Sequence, residues 1–100
     1  MLVVVGESLI DIVMSGPRPT EHVGGGPLNI AVGLARLDQS PLLITQTGSD
    51  DYADLIFEHL HRNQVQVVAS PTTTGRTNTA KAYLADNGVA EYEIDLEWTL

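Results

Sequence analysis

The 100-residue chain contains no cysteine. Disulfides and thiolate metal sites are therefore excluded. Basic residues are scarce: five Lys and Arg stand against 13 Asp and Glu, for a net charge of −8. That balance argues against nucleic acid and anionic membranes as partners. No apolar run is long enough to span a bilayer. The opening MLVVVGES has no basic stretch before its apolar residues, so it does not read as a signal peptide. A cytoplasmic protein is the expectation. The composition, 43% hydrophobic and 18% charged, is that of a folded globular chain. This length holds one domain or a piece of one, with a thin core.

The apolar pattern predicts an alternation of strands and helices. Leu2 to Val5 is a continuous apolar run ended by Gly6, which reads as a strand buried on both faces. Ser8 to Met14 is a second β-prone stretch with Asp11 in its middle, and Ser15 to Thr20 reads as a turn or loop. Pro27 to Asp38 is a helix with only Asn29, Gly33 and Arg36 on its polar or small face, so burial on most sides is expected. Pro41 to Gln46 is another buried strand. Gly48-Ser49-Asp50 opens a helix running to about Arg62, with Asn63 as a left-handed cap. Val65 to Val68 is a third short strand. This order implies a parallel, right-handed α/β unit.

The last segment differs. Thr79 to Ala85 and Ala90 to Leu96 flank Asp86-Asn87-Gly88, a hairpin signal. Ala80, Ala82 and Leu84 share one face, as do Ala90, Tyr92, Ile94 and Leu96; Lys81, Glu91, Glu93 and Asp95 take the other. A lone hairpin is marginal in water, so its apolar face needs a cover. The apolar end Trp98-Thr99-Leu100 and the open sheet edges suggest a chain cut from something longer.

The densest signal is GGGPLNIAVGLARL, Gly24 to Leu37. Glycine lets backbone approach a ligand closely, and proline suits the first helical position. The free N–H groups of the first turn then face whatever lies beyond the glycines. A dinucleotide or P-loop reading fails, because neither G-x-G-x-x-G nor Gly-Lys-Ser/Thr is present. On this stretch alone, a tight turn into a helix is the plainer reading.

The series VVVGESLIDIV, GGGPLNIAVGLARL and ITQTGSDDYADLIFEHL, followed by a β-hairpin, resembles the amino-terminal third of the ribokinase-like (PfkB) carbohydrate kinases. It is most similar to the fructokinase branch, and the likeness covers essentially the whole chain. The resemblance implies a partial Rossmann-like parallel sheet with helices plus a small β-sheet lid. Residues 1–100 would then be an amino-terminal fragment of that fold, with lid strands within about 8–23 and 79–96. It implies sugar contacts at Asp11, Gly25, Gly26 and Asn29, and lid contacts at Ala80, Ala82 and Tyr92. An ionised carboxylate offers two acceptor oxygens for vicinal hydroxyls, and an asparagine amide both donates and accepts. Asp11 taken alone is a solvated charge; the resemblance makes it a sugar ligand. The lid residues either touch the sugar or pack against the strand near Leu9 to Val13.

ATP and Mg2+ are the cofactors the resemblance implies, and a small sugar the partner. Fructose comes first, with 2-keto-3-deoxygluconate and ribose behind it. The catalytic Asp of the family belongs to an Asp-Thr-x-Gly-Ala-Gly-Asp signature that these residues lack. The chain alone is therefore expected to be inactive. An alternative is a stand-alone sugar-binding module, or one that dimerises through the lid sheet; a nucleoside kinase is a third reading. Asp50, Asp51 and Asp54 read as carboxylates offsetting a helix dipole rather than a metal site. His22, His59 and His61 read as unliganded surface residues, and Arg76 as a loop arginine facing water. Two positions depart from the family pattern: Asp38 and Ala53 stand where glycines are usual.

Overall fold

β-branched runs and turn residues sort the chain into two sheets. The structure, a computed structural model, describes residues 1–99, apart from the side chains of Val89 and Ala90. The elements are β1 (Leu2–Val5), β2 (Leu9–Ser15), β3 (Arg18–Gly24), α1 (Gly26–Arg36), β4 (Pro41–Thr47), α2 (Asp51–Arg62), β5 (Gln66–Pro71), β6 (Thr79–Ala85) and β7 (Gly88–Asp95). A parallel three-stranded sheet has the order β1-β4-β5, and a mixed four-stranded sheet the order β3-β2-β6-β7. The expected α/β unit and small second sheet are both present. No helix is long and apolar enough to cross a membrane among the described residues.

Both helices cover one face of the parallel sheet, as right-handed crossovers moving one way across it require. Val4, Leu43 and Val67 stand in one row across β1, β4 and β5 and face the helices. Leu28, Ala31, Val32 and Ala35 of α1 and Ile56 and Leu60 of α2 complete this core. Ile10 and Ile12 carry it into the second sheet, so the two sheets share one core.

Several expectations fail in the folded chain. β1 is not buried on both faces: Val3 and Val5 are 53% and 58% exposed. They share with Val68 the face that neither helix covers. α1 is buried on one stripe only, and Ile30 and Leu37 are exposed. The turn or loop expected at Ser15 to Thr20 is shorter than expected: it is a tight turn at Gly16-Pro17, and Arg18 to Thr20 already belong to β3. Gly88 pairs with Ala85 as the first residue of β7, so the hairpin turn is Asp86-Asn87. The expected placing of Ala90 on the apolar face, and of Leu100 at the apolar end, falls outside the described residues.

The left-handed residue after α2 is Gln64 (φ 60°), not Asn63 (φ −96°). The Gln64 N–H donates to the His61 carbonyl (3.1 Å) and the Val65 N–H to that of Leu60 (3.0 Å). This paired closure satisfies the last helical carbonyls, with buried Val65 against buried Leu60. Asp38 (φ 59°) closes α1 the same way, its N–H donating to Ala35 and that of Gln39 to Leu34, both at 3.1 Å. An aspartate in place of glycine thus still makes a complete cap.

Candidate sugar site

The site is built on the middle of β2 and the corner that follows β3. Side chains alternate along β2, so Ile10 and Ile12 enter the core and Asp11 faces out. In register, Asp11 lies opposite His22 of β3 on one side and Ala80 of β6 on the other. Val13 lies beside Ala82, which pairs with Tyr92 of β7. Asp11, Ala80, Ala82 and Tyr92 therefore share one face, with the Ala82–Tyr92 row about 7 Å further along the strands. Ile94 pairs with Ala80 on the same face.

The glycine corner brings α1 to this face. A Cβ on Gly24 would collide with the Asp11 carboxylate, which lies against the bare Cα. Gly25 has φ 106°, and a Cβ there would sit 2.9 Å from the Glu7 carbonyl oxygen. Only glycine meets both demands without strain. On the other side of this corner, a Cβ on Gly6 would strike the Pro27 ring, so the end of β1 butts against the start of α1. Gly25 is the N-cap, with no side-chain cap, and its carbonyl accepts the Asn29 N–H at 3.0 Å. Asn29 stands exposed in the first turn.

Asp11 and Gly25 thus adjoin one corner through Gly24, and Asn29 is tied to it by its backbone bond to Gly25. Gly26 faces open space: a Cβ there would meet nothing within 4 Å, so it makes no comparable contact. Gly24, which the sequence did not single out, is the glycine on which the Asp11 carboxylate rests. Its signal was that the run holds three glycines, of which it is the first, but only the pairing of β2 with β3 shows which glycine adjoins Asp11. Tyr92 is 65% exposed, and Ala80 and Ala82 are half-buried.

A second cluster ties the four-stranded sheet to the body. Asp50, the N-cap of α2, accepts the Ala53 N–H at 3.0 Å. It also accepts the Thr77 N–H at 2.9 Å and the Thr77 hydroxyl. Burial pushes the Asp50 carboxyl up, but the hydrogen bonds from Thr77 and Ala53 outweigh it and hold the group below its ordinary value. The Tyr52 hydroxyl donates to the Glu21 carboxylate of β3. That bond, aided by burial and by the charges of Glu21 and Asp50, pushes Tyr52 up to about 12. Gln46, buried in β4, accepts the Thr99 N–H at 3.0 Å and donates to the Pro71 carbonyl at 3.2 Å.

The other singled-out residues lie away from this corner. Arg76 does not simply face water: its Nε lies 3.0 Å from Asp95. His59 is half-buried beside a crevice of about 310 Å3 between α2 and β3, on the side of the sheet away from Asp11. Burial pushes His59 down from its ordinary value, with Arg62 and Arg36 adding to the shift. Asp51 and Asp54 lie in the first turn of α2, where they complement the helix dipole. No group of three or more His, Cys, Asp or Glu able to hold a metal occurs among the described residues.

The profile of the pfkB family carbohydrate kinases matches residues 1–97. The chain belongs to the pfkB carbohydrate kinase family. Among curated relatives, the Arabidopsis thaliana protein named "Probable fructokinase-6, chloroplastic" is 32% identical over 100 residues, covering 91% of this chain and 26% of that one. The chain spans only 21–26% of the length of the curated relatives it matches. Among solved structures, the fructokinase of Xylella fastidiosa superposes with a TM-score of 0.80 at 26% identity, over 93% of this chain and 32% of that one. A further structure of the Xylella fructokinase contains bound ATP. A carbohydrate kinase of Agrobacterium tumefaciens shares the fold, with a TM-score of 0.83 at 24% identity over 94% of this chain and 34% of that one.

Proposed function

We propose that these residues form the sugar-binding floor and lid of a kinase that transfers the γ-phosphoryl group of ATP to a sugar hydroxyl. One observation carries the reading: the exposed Asp11 carboxylate rests on Gly24, beside the Gly25 corner that opens α1. Such a carboxylate grips two hydroxyls at once. Asn29 and the first-turn N–H groups add donors for a third polar group. Ala80, Ala82 and Tyr92 form the apolar wall above, and closure of that wall would exclude water that competes for the phosphoryl group. Fructose is the first candidate, supported by the names of the relatives. A cytoplasmic setting belongs to the same reading.

The chain's own part is to bind and orient the sugar. ATP supplies the phosphoryl group and Mg2+ the charge to offset it, but the described residues offer no metal cluster and none is assigned to the nucleotide. The general base lies outside this chain. The 100 residues alone are expected to form no sugar phosphate. Sustained ATP- and sugar-dependent turnover by the purified chain would refute that. In the intact enzyme, Asp11→Ala is expected to raise the sugar KM by about 100-fold or more. Each hydrogen bond to an ionised carboxylate is worth about 1.5–3 kcal/mol. An unchanged KM would remove Asp11 from the site.

The exposure of Tyr92 and Ile94 favours a second reading, in which the wall pairs with another copy. That module would bind sugar or dimerise without catalysis. Sedimentation across a hundredfold range of concentration tests that pairing: a concentration-dependent dimer is expected, and a monomer throughout would remove it.

A further inference from the structure

The strand that bears Asp11 lies between two others, β3 and β6. Each of these neighbours is fastened to the same turn of α2. On one side the Tyr52 hydroxyl donates to Glu21 in the middle of β3. On the other, Asp50 accepts both the N–H and the hydroxyl of Thr77, two residues before β6 begins. The Thr77 hydroxyl oxygen also accepts the Gly48 N–H at 3.0 Å, so Thr77 is held from two directions. Thr77 is 2% exposed, and Tyr52 packs its ring against the shared core.

The other attachments of this sheet act elsewhere: the buried Ser8 and Thr45 hydroxyls, 2.9 Å apart, tie the start of β2 to β4 beside the Gly24-Gly25 corner, and so hold the pivot rather than the angle about it. Ile10, Ile12 and Val23 pack its back against the core. Apolar contact is non-directional and permits the sheet to roll. Hydrogen bonds weaken steeply as they bend and so resist rolling. Gln46 holds the stretch after β7, on the far side of β6 from Asp11. The Gly24-Gly25 corner is a chain link with a positive φ at Gly25, able to serve as the pivot.

We infer that the first turn of α2 sets the angle of the four-stranded sheet, and with it the Asp11 face, relative to the body. Tyr52 and Asp50 are positioning residues for that face, acting through Glu21 and Thr77. The inference stands on the fold and not on the identity of the ligand.

The absence of native cysteine makes the test clean. Spin labels on S15C, at the tip of β2, and H61C, on α2, report the distance from sheet to body. The unsubstituted background should give one narrow distance. Tyr52→Phe, which removes only a hydroxyl, should broaden or shift it. Amide exchange in β3 should then quicken about 5-fold to 10-fold, the effect of losing one solvent-exposed hydrogen bond of ordinary net strength, while α1 is unchanged. Glu21→Gln alone, with Tyr52 intact, keeps an acceptor for the Tyr52 hydroxyl and should keep the narrow distance. Thr77→Val should quicken exchange in β6 rather than β3, whereas Thr77→Ser should match the parent. A parent-like distance and parent-like β3 exchange in Tyr52→Phe would overturn the inference. So would equal quickening of β3 and α1, which marks general loosening. Failure of Asp11→Ala to affect sugar binding would leave these measurements unchanged, so the two ideas fail separately.

Discussion

The two sheets use similar apolar residues to opposite ends. In the parallel sheet and its helices, Leu43, Leu28, Ile56 and Leu60 are fully buried. In the outer hairpin of the mixed sheet, Tyr92 and Ile94 stay more than half exposed. The first region stores stability, because burial of each such side chain contributes about 1.5–3 kcal/mol. The second displays an apolar wall that its own fold does not cover. The boundary between them runs along β2, where Ile10 and Ile12 face the core and Asp11 lies on the same face as the wall. Alternation in one strand therefore divides support from recognition.

The strongest way to break that division is to make the same truncation in both regions. Leu43→Ala should cost about 2–5 kcal/mol, the range for emptying a fully buried leucine site. Because the sheets share one core, both should lose structure together in thermal melts read by far-UV circular dichroism. Ile94→Ala should change stability by less than about 0.5 kcal/mol, as is usual for exposed positions. A large loss at Ile94 would show that the wall is buried against something in solution.

A finer cut acts on the boundary itself. Gly24→Ala places a methyl group where the Asp11 carboxylate now lies. The backbone of Gly24 is ordinary, and the displaced atoms are the far end of a flexible side chain, so the fold should survive with a small change in melting temperature. Sugar affinity should fall about tenfold, or about 1.4 kcal/mol, from loss of one well-placed charged hydrogen bond. Titration by calorimetry against fructose would check it, and unchanged affinity would dissociate Gly24 from the site.

Much of the body was legible in the sequence because its signals are local. GSDD announced the start of α2, and Asp50 is indeed its N-cap. The apolar run of β4 gave its place in the sheet. The errors arose where a partner elsewhere decides the outcome. RPTEHVG contains a proline and three consecutive polar residues, so its own pattern announces no strand; the resemblance put lid strands within about 8–23, and pairing with β2 makes it one. VVV in β1 promised burial that the uncovered face of the sheet does not supply. The choice of Gly24 over Gly26 depends on cross-strand register, which a linear reading does not contain.

The tie between the regions has a pH signature. Asp50 has a folded pKa below its ordinary value of 3.8. A depressed carboxyl adds stability above its unfolded pKa, and loses it as pH falls through the folded one. The parent chain should therefore lose melting temperature as pH falls below about 4 more steeply than Asp50→Asn, which keeps a cap acceptor but cannot titrate. Parallel pH profiles would show that the carboxylate charge at Asp50 adds nothing to the bond with Thr77.

A small gain is also expected, and it belongs to the body alone. Gln64 holds φ 60° because the bond from Val65 N–H to the Leu60 carbonyl, with both side chains buried, fixes where α2 must turn. Asn63 is better suited to that conformation by type, yet its side chain is used otherwise. Its Nδ2 donates to the His59 carbonyl at 2.8 Å, and its Oδ1 accepts from Arg36 at 3.2 Å. Packing has set the register of the cap, and Gln64 bears the left-handed strain. Gln64→Gly should relieve that strain, offset in part by the greater freedom of glycine in the unfolded chain. A net gain of about 0.5–1 kcal/mol is expected, seen as a higher urea midpoint at an unchanged slope. The tilt of the four-stranded sheet, read by the same spin labels, should not move. A stabilising change that leaves the Asp11 face where it was would show that strain at the end of α2 is independent of the clamp at its start.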